Sequence, residues 1–257
     1  MQTLRAARVA CGTALFEVRS GWKLRAQLWR ARRSDAYRSA YDGPLPLVSV
    51  CVATYNRSKL LVERCLPSIL SQDYPHIEIV VVGDGCTDDT ADRVSALNSP
   101  EIRFENLRRR GRYPNSPDLR WLVAGTAAIN RALELSRGEI ITHLDDDDEY
   151  LSGRISALVD YIRKERAELI WHPFYAERAD GSWELNPAKT FACGSVTTSS
   201  ILYHAWFKRI LWDPWAYVWR QPGDWNRLNR ISRIGCKLSR FDEPLLRHYK
   251  ERTQAFR

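Results

Sequence analysis

The chain has 257 residues, 44% of them hydrophobic and 27% charged, with a formal net charge of +8. Those values exclude a disordered or fibrous protein and fit one globular domain with appendages. Residues 1–38 hold nine basic residues against only Glu17 and Asp35, a net +7, so the remaining chain is nearly neutral. That balance argues against a broad nucleic-acid-binding surface, and no nucleic acid is expected as a partner.

Leu4, Cys11, Leu15, Val18, Trp22 and Trp29 fall on one stripe of a helix across residues 4–33, with arginines over much of the rest. Such a basic amphipathic helix either lies in an anionic membrane interface or packs on the domain. Gly12 and Gly21 interrupt it. Asp42, Gly43, Pro44 and Pro46 then separate an arm, 1–43, from a domain at 44–257.

The run from Leu47 to Ala53 is apolar and β-branched, as in a parallel strand covered on both faces. A helix is expected from Ser58 to Gln72, kinked or broken at Pro67. A strand follows from Ile77 to Val82, then a helix from Asp88 to Leu97 and a strand from Ile102 to Asn106. This alternation is that of a doubly wound sheet. Residues 107–123 are polar, arginine-rich and aperiodic, hence a loop. The helix from Gly125 to Ser136 is expected to end on Gly138 as a C-cap, before a strand from Glu139 to Leu144. Beyond residue 151 come a helix from Arg154 to Glu165, a strand from Leu169 to His172 and a less regular region, and seven of the ten tryptophans fall between Trp171 and Trp225.

Six cysteines are scattered without a CxxC pair or zinc-like spacing, and reduced thiols favour the cytosol. The N-terminus lacks the apolar core of a secretory signal. The longest uncharged stretch, Thr190 to Phe207, is too rich in Ser, Thr and Gly to span a membrane. The expected location is cytoplasmic, with peripheral attachment to the membrane as an option for the arm.

The strand at Glu139–Leu144 runs directly into Asp145, Asp146, Asp147 and Asp148. Clustered carboxylates repel one another, and a divalent cation is their natural partner. Open α/β sheets bind ligands beyond the carboxyl ends of their strands, which is where these aspartates fall. A solvated acidic turn is the alternative.

Three segments in order resemble the family-2 glycosyltransferases, which have the GT-A fold: VSVCVATYNR (48–57), VVVGDGCTDDT (80–90) and GTAAINRALELSRGEIITHLDDDDEY (125–150). The resemblance covers about residues 46–250. It implies a single α/β, GT-A-like (Rossmann-like) domain with a central, mostly parallel sheet, preceded by the basic helical arm. It divides the domain into a nucleotide-sugar-binding half, 44–150, and an acceptor-binding half, 151–257. It also implies a nucleoside-diphosphate sugar donor, with uridine as the default base, and Mn2+ or Mg2+ as cofactor. The acceptor would be a glycan or lipid-linked hydroxyl, in surface polysaccharide or glycolipid biosynthesis.

By the same resemblance, Thr54, Tyr55, Asn56 and Arg57 line the nucleotide site, and Asp84 hydrogen-bonds the base. Asn130, Asp145 and Asp146 also belong to the donor site. Asp145 and Asp147 are the ends of the DxD motif that meets the metal, and His248 resembles a late metal ligand. The sequence departs from the pattern at Gly83 and Ile129, where an acid and an arginine are usual; an arginine from 108–112 can substitute for the latter. PGDWNRLNR (222–230) resembles the segment that supplies the catalytic base, here Asp224, with Gly223 replacing the usual preceding acid. A carboxylate is the group required there, because an acceptor hydroxyl must lose its proton as the new bond forms with inversion. The alternative for Asp224 is a helix N-cap, and for each tryptophan a place in the core. His143 and His172 are expected to satisfy hydrogen bonds within the sheet.

Two rival functions remain. A nucleotidyltransferase would want a glycine-rich phosphate loop where Ala53 to Arg57 has no glycine. A non-catalytic, membrane-associated scaffold would have lost the DxD aspartates or the base, and both are present.

Overall fold

The computed structural model describes residue 11 and residues 14–250. A helix α1 (Trp22–Ala31), entered through one π-helical turn (Glu17–Gly21), and a helix α2 (Asp35–Asp42) precede the sheet. The predicted Leu4 and Gly12 lie outside the described residues.

The central sheet contains β1 (Val48–Thr54), β2 (Ile77–Gly83), β3 (Ile102–Asn106), β4 (Ile140–His143), β6 (Leu169–Trp171), β9 (Ile201–His204) and β10 (Leu238–Arg240), in the order β10-β6-β9-β4-β1-β2-β3. All its pairs are parallel except those of β9, which runs antiparallel between β4 and β6. The apolar run of β1 is buried almost throughout because strands flank it and helices cover it. A second sheet orders β5 (Glu149–Tyr150), β11 (Leu246–His248), β7 (Phe174–Glu177) and β8 (Trp183–Asn186) as β5-β11-β7-β8.

Register sets the site. Thr54 pairs with Gly83, and Gly83 with Asn106, so β1, β2 and β3 end in one row. Cys51 pairs with His143, so the chain leaving β4 reaches Asp145 at the same edge.

The remaining helices are α3 (residues 58–70), α4 (Thr90–Ala96), α5 (Pro117–Trp121), α6 (Thr126–Leu135), α7 (Arg154–Glu165) and α8 (Gly223–Arg233). Pro67 does not break α3. A π-helical turn, Leu61–Cys65, precedes it and shifts the hydrogen-bond ladder, so that the Leu66 amide reaches the Leu61 carbonyl. The predicted Gly138 C-cap is corrected, since α6 ends at an extended Ser136. Gly138 is required for a different reason: a Cβ there would lie 2.5 Å from the Leu47 carbonyl oxygen and 2.8 Å from the Ser49 nitrogen. The aperiodic loop at 107–123 contains the short helix α5, started by Pro117 at a position where a missing N–H costs nothing.

The arm is docked on the domain. Leu28, Tyr37, Ala40 and Tyr41 belong to the continuous core. Arg32 makes a forked ion pair with the buried Glu168 (2.6 and 2.7 Å), and the Tyr37 hydroxyl donates to the same carboxylate (2.7 Å). The Lys237 amide donates to it as well (2.8 Å). Burial opposes the Glu168 charge, but these donors outweigh it and hold the carboxyl below its usual range. The face that docks is not the predicted stripe: Phe16, Leu24 and Leu28 turn inward, while Cys11, Leu15, Val18, Trp22 and Trp29 are exposed.

Candidate active site

A cavity of about 1010 Å³ opens at the carboxyl ends of β1, β2 and β4. Thr54, Tyr55, Arg57 and Asp84 line one part of it, Asp145, Asp146 and Asp147 the floor, and Asp224, Trp225 and His248 another side.

Asp146 is turned inward and neutralised locally: Thr54 Oγ1 donates to its Oδ2 (2.7 Å) and Arg57 Nη1 to its Oδ1 (3.1 Å). The same guanidinium reaches Asp147 Oδ2 (2.9 Å), so Arg57 braces two successive carboxylates. Asp148 is fully buried and saturated, accepting from His248 Nδ1 (2.9 Å) and from the Tyr249 amide (3.0 Å). It thereby fixes the imidazole at the cavity. Alternate residues of the run therefore do different work: Asp145 and Asp147 are half-buried, whereas Asp146 and Asp148 are buried and tied down by neighbouring groups.

The electrostatics follow from that crowding. Burial, with the neighbouring Asp148 and Asp147, raises the Asp145 carboxyl well above its usual range. Burial and the charges of Asp146 and Asp148 push Asp147 up to about 7. Burial works to lower His248, but Asp148 overcomes it and lifts the imidazole to about 9. Asp145, Asp148 and His248 bring ligand atoms within 4.8 Å of one another. Excess carboxylate charge, hard oxygens and one imidazole form a donor set that fits a divalent cation. Asp147 stands outside that closest group, held toward Arg57, yet it faces the same cavity.

At the β2 end of the cavity, Asp84 is buried and accepts from the Gly111 amide (2.9 Å) and the Tyr113 hydroxyl (2.8 Å). Burial raises its pKa despite these donors. The Arg110 guanidinium lies 3.6 Å from the centre of the Tyr55 ring, which identifies the arginine of 108–112 that reaches the cavity. Neither Arg110 nor Tyr113 is distinguishable in an aperiodic sequence. The stacked pair becomes visible only when the loop closes over Gly85, whose φ of +73° lets the backbone of residues 109–110 come close.

Two expected site residues are not brought to the cavity. Asn56, at φ +50°, is an exposed turn residue whose side chain accepts from the Thr87 amide (2.8 Å) and ties the two turns together. Asn130 binds both backbone groups of Trp212 (2.8 and 3.0 Å), positioning that indole, which does line the cavity. His143 bonds within the sheet, to the Tyr203 hydroxyl (2.7 Å), whereas His172, just past β6, meets the Pro173 carbonyl (2.7 Å) and accepts from Arg154 Nε on α7 (3.1 Å).

Asp224 sits in the first turn of α8, where its Oδ1 accepts from the adjacent Trp225 amide (2.6 Å). It makes no side-chain N-cap bond of the expected kind, and the residue before the helix is Pro222. Burial raises its pKa, and it feels His248 and Asp145 across the cavity. Trp171 and Trp206 are buried in the core, whereas Trp212 and Trp225 border the cavity.

An α/β sheet of this strand order with a cavity at its carboxyl edge has the GT-A fold. Residues 49–213 match the model of glycosyl transferase family 2, and the chain belongs to that family. It is 36% identical over 115 residues to the GalNAc(5)-diNAcBac-PP-undecaprenol beta-1,3-glucosyltransferase of Campylobacter jejuni, covering 45% of this chain and 34% of that one. It is 31% identical over 135 residues to the UDP-Glc:alpha-D-GlcNAc-diphosphoundecaprenol beta-1,3-glucosyltransferase WfaP of Escherichia coli, covering 52% of this chain and 48% of that one. The matched stretches thus span less than half the length of these relatives. Among solved structures, S. aureus TarS in complex with UDP-GlcNAc superposes with a TM-score of 0.63 at 19% identity, over 82% of this chain and 60% of that one. The mannosyltransferase PcManGT from Pyrobaculum calidifontis, in complex with GDP-Man and Mn2+, gives 0.59 at 18% identity, over 96% and 70%.

Proposed function

We propose that the chain transfers a sugar from a nucleoside-diphosphate donor, with uridine the favoured base, to an acceptor hydroxyl, inverting the anomeric centre. The observation that carries this reading is one cavity shared by Asp84, the aspartates after β4 and Asp224. Family membership and the lipid-linked substrates in the relatives' names support a glycan or lipid-linked acceptor in polysaccharide or glycolipid assembly.

Tyr55 and Asp84 receive the base. Asp145, Asp147 and His248 would hold a manganese or magnesium ion, with Asp148 orienting the imidazole. That ion supplies positive charge against the diphosphate. The acceptor oxygen forms its bond to the anomeric carbon as the bond to the diphosphate oxygen breaks and its electron pair leaves with the diphosphate. The proton passes to the Asp224 carboxylate, whose raised pKa makes it a stronger base than an exposed aspartate.

A thermal-shift series with nucleoside diphosphates, with and without manganese, tests the reading. A ligand at 100 times its dissociation constant stabilises by about 2.7 kcal/mol. Asp147→Ala should remove the manganese-dependent part of that stabilisation and leave the fold intact. No stabilisation by any nucleotide in the wild-type protein would reject the donor assignment.

A further inference from the structure

Apolar residues on the arm and a separate segment near the cavity meet on one side of the molecule. The arm runs alongside α8 in the same direction. Leu15, Phe16 and Arg19 line a small cavity with Trp219, Gln221 and Asn226, around the start of that helix. Farther along, Arg25 donates to the Arg233 carbonyl (2.7 and 3.1 Å), and Arg32 to the Gly235 carbonyl (2.6 Å), at the helix's other end. The arm therefore begins beside the segment leading to Asp224 and ends at the far end of α8.

Its outer face leaves Leu15 40%, Val18 76%, Trp22 65% and Trp29 56% exposed. The neighbouring segment adds Trp215 and Val218, 62% and 43% exposed, just ahead of Trp219, which meets the arm. Arg19, Lys23, Arg30 and Arg33 flank this surface and are exposed, and the Arg33 guanidinium stacks 3.4 Å above Trp29. Tryptophan beside arginine and lysine is the composition of a protein face at the headgroup level of a bilayer. Among the described residues no helix is long and apolar enough to cross a membrane.

We infer that the arm and the 211–219 segment form one surface that rests on an anionic lipid bilayer, bringing the Asp224 side of the cavity to a lipid-linked acceptor. The acceptor part of this inference rests on the proposed transfer reaction. Charge selects the occupant. A second copy would set two strongly basic arms together, whereas each basic residue near an anionic leaflet strengthens binding about fivefold.

Vesicle co-sedimentation of the full chain separates the possibilities, using phosphatidylglycerol–phosphatidylcholine vesicles against phosphatidylcholine alone. Binding is expected only to the anionic vesicles and should weaken as salt rises. Trp22→Ser with Trp29→Ser, and separately Trp215→Ser with Val218→Ser, should each weaken it about tenfold or more. Both pairs should keep nucleotide-dependent thermal stabilisation and transfer to a short soluble acceptor. Wild-type protein that ignores anionic vesicles at low salt would overturn the surface. So would a Trp215/Val218 variant that binds like wild type, or a size-exclusion shift to monomer on these substitutions without any vesicle binding. Vesicle binding without nucleotide stabilisation would instead reject the transfer reaction and leave the lipid surface standing.

Discussion

In residues 44–150 the polar groups at the cavity follow directly on strands: Tyr55 on β1, Asp84 on β2 and Asp145 shortly after β4. In residues 151–250 they arrive by other routes. Asp224 opens a helix, and His248 ends a strand lodged between β5 and β7, one hundred residues from the Asp148 carboxylate it meets. The first half builds its share of the site from strand register alone. The second half builds its share only through contacts between segments far apart in the chain, as between His248 and Asp148. Nucleotide binding and chemistry should therefore separate under mutation.

The largest effect should come from the second half. Asp224→Asn should lower kcat by roughly 10²–10⁴, the usual contribution of a positioned proton acceptor, with nucleotide binding retained. Wild-type activity should also fall as pH drops through the raised Asp224 pKa, because only the carboxylate can accept the proton. Equal losses of binding and turnover in the variant would mean that the two halves do not divide the work in this way.

The arm supplies the next test, because its two faces should differ. Leu28→Ala removes a buried side chain and should cost about 2–5 kcal/mol in chemical denaturation. Trp22→Ala on the exposed face should stay within about 0.5 kcal/mol. Similar costs for both would show that the outer face is also packed in solution.

The smallest effect probes the link between the halves. In metal-free protein His248 is held protonated up to about 9 by Asp148 against an ordinary value of 6.5. A folded pKa above the unfolded one stabilises fully below about 6.5, and that contribution is lost as pH rises through about 9. The melting temperature of the metal-free protein should decline across that window, and Asp148→Asn should flatten the decline. The same variant should weaken manganese binding about 10–100-fold, as loss of a ligand's orienting partner does. An unchanged pH profile would detach His248 from Asp148 in solution.

Much of residues 44–150 was legible in the sequence because parallel strands buried on both faces read as unbroken β-branched runs. Ile102–Asn106 and Arg154–Glu165 fall where the pattern placed them. Gly138 shows the limit: a glycine after a helix suggests a cap, but only the approach of β1 reveals why a side chain is forbidden there. Asn56 and Asn130 carry family-like spacing, yet their amides are consumed by backbone groups supplied from residues 87 and 212. The arm's periodicity identified a real stripe and left its direction open, since a helical repeat defines a face without naming what covers it.

The sequence by itself determined the strand–helix alternation, the acidic run at the end of β4 and the basic amphipathic arm, because each is written in neighbouring residues through periodicity and charge. Tertiary structure decided which aspartates face the cavity, which arginine stacks on Tyr55, how His248 reaches Asp148 and which side of the arm turns outward. Those outcomes depend on contacts between residues tens to hundreds of positions apart, where burial and pairing, rather than local pattern, set the orientation of each side chain.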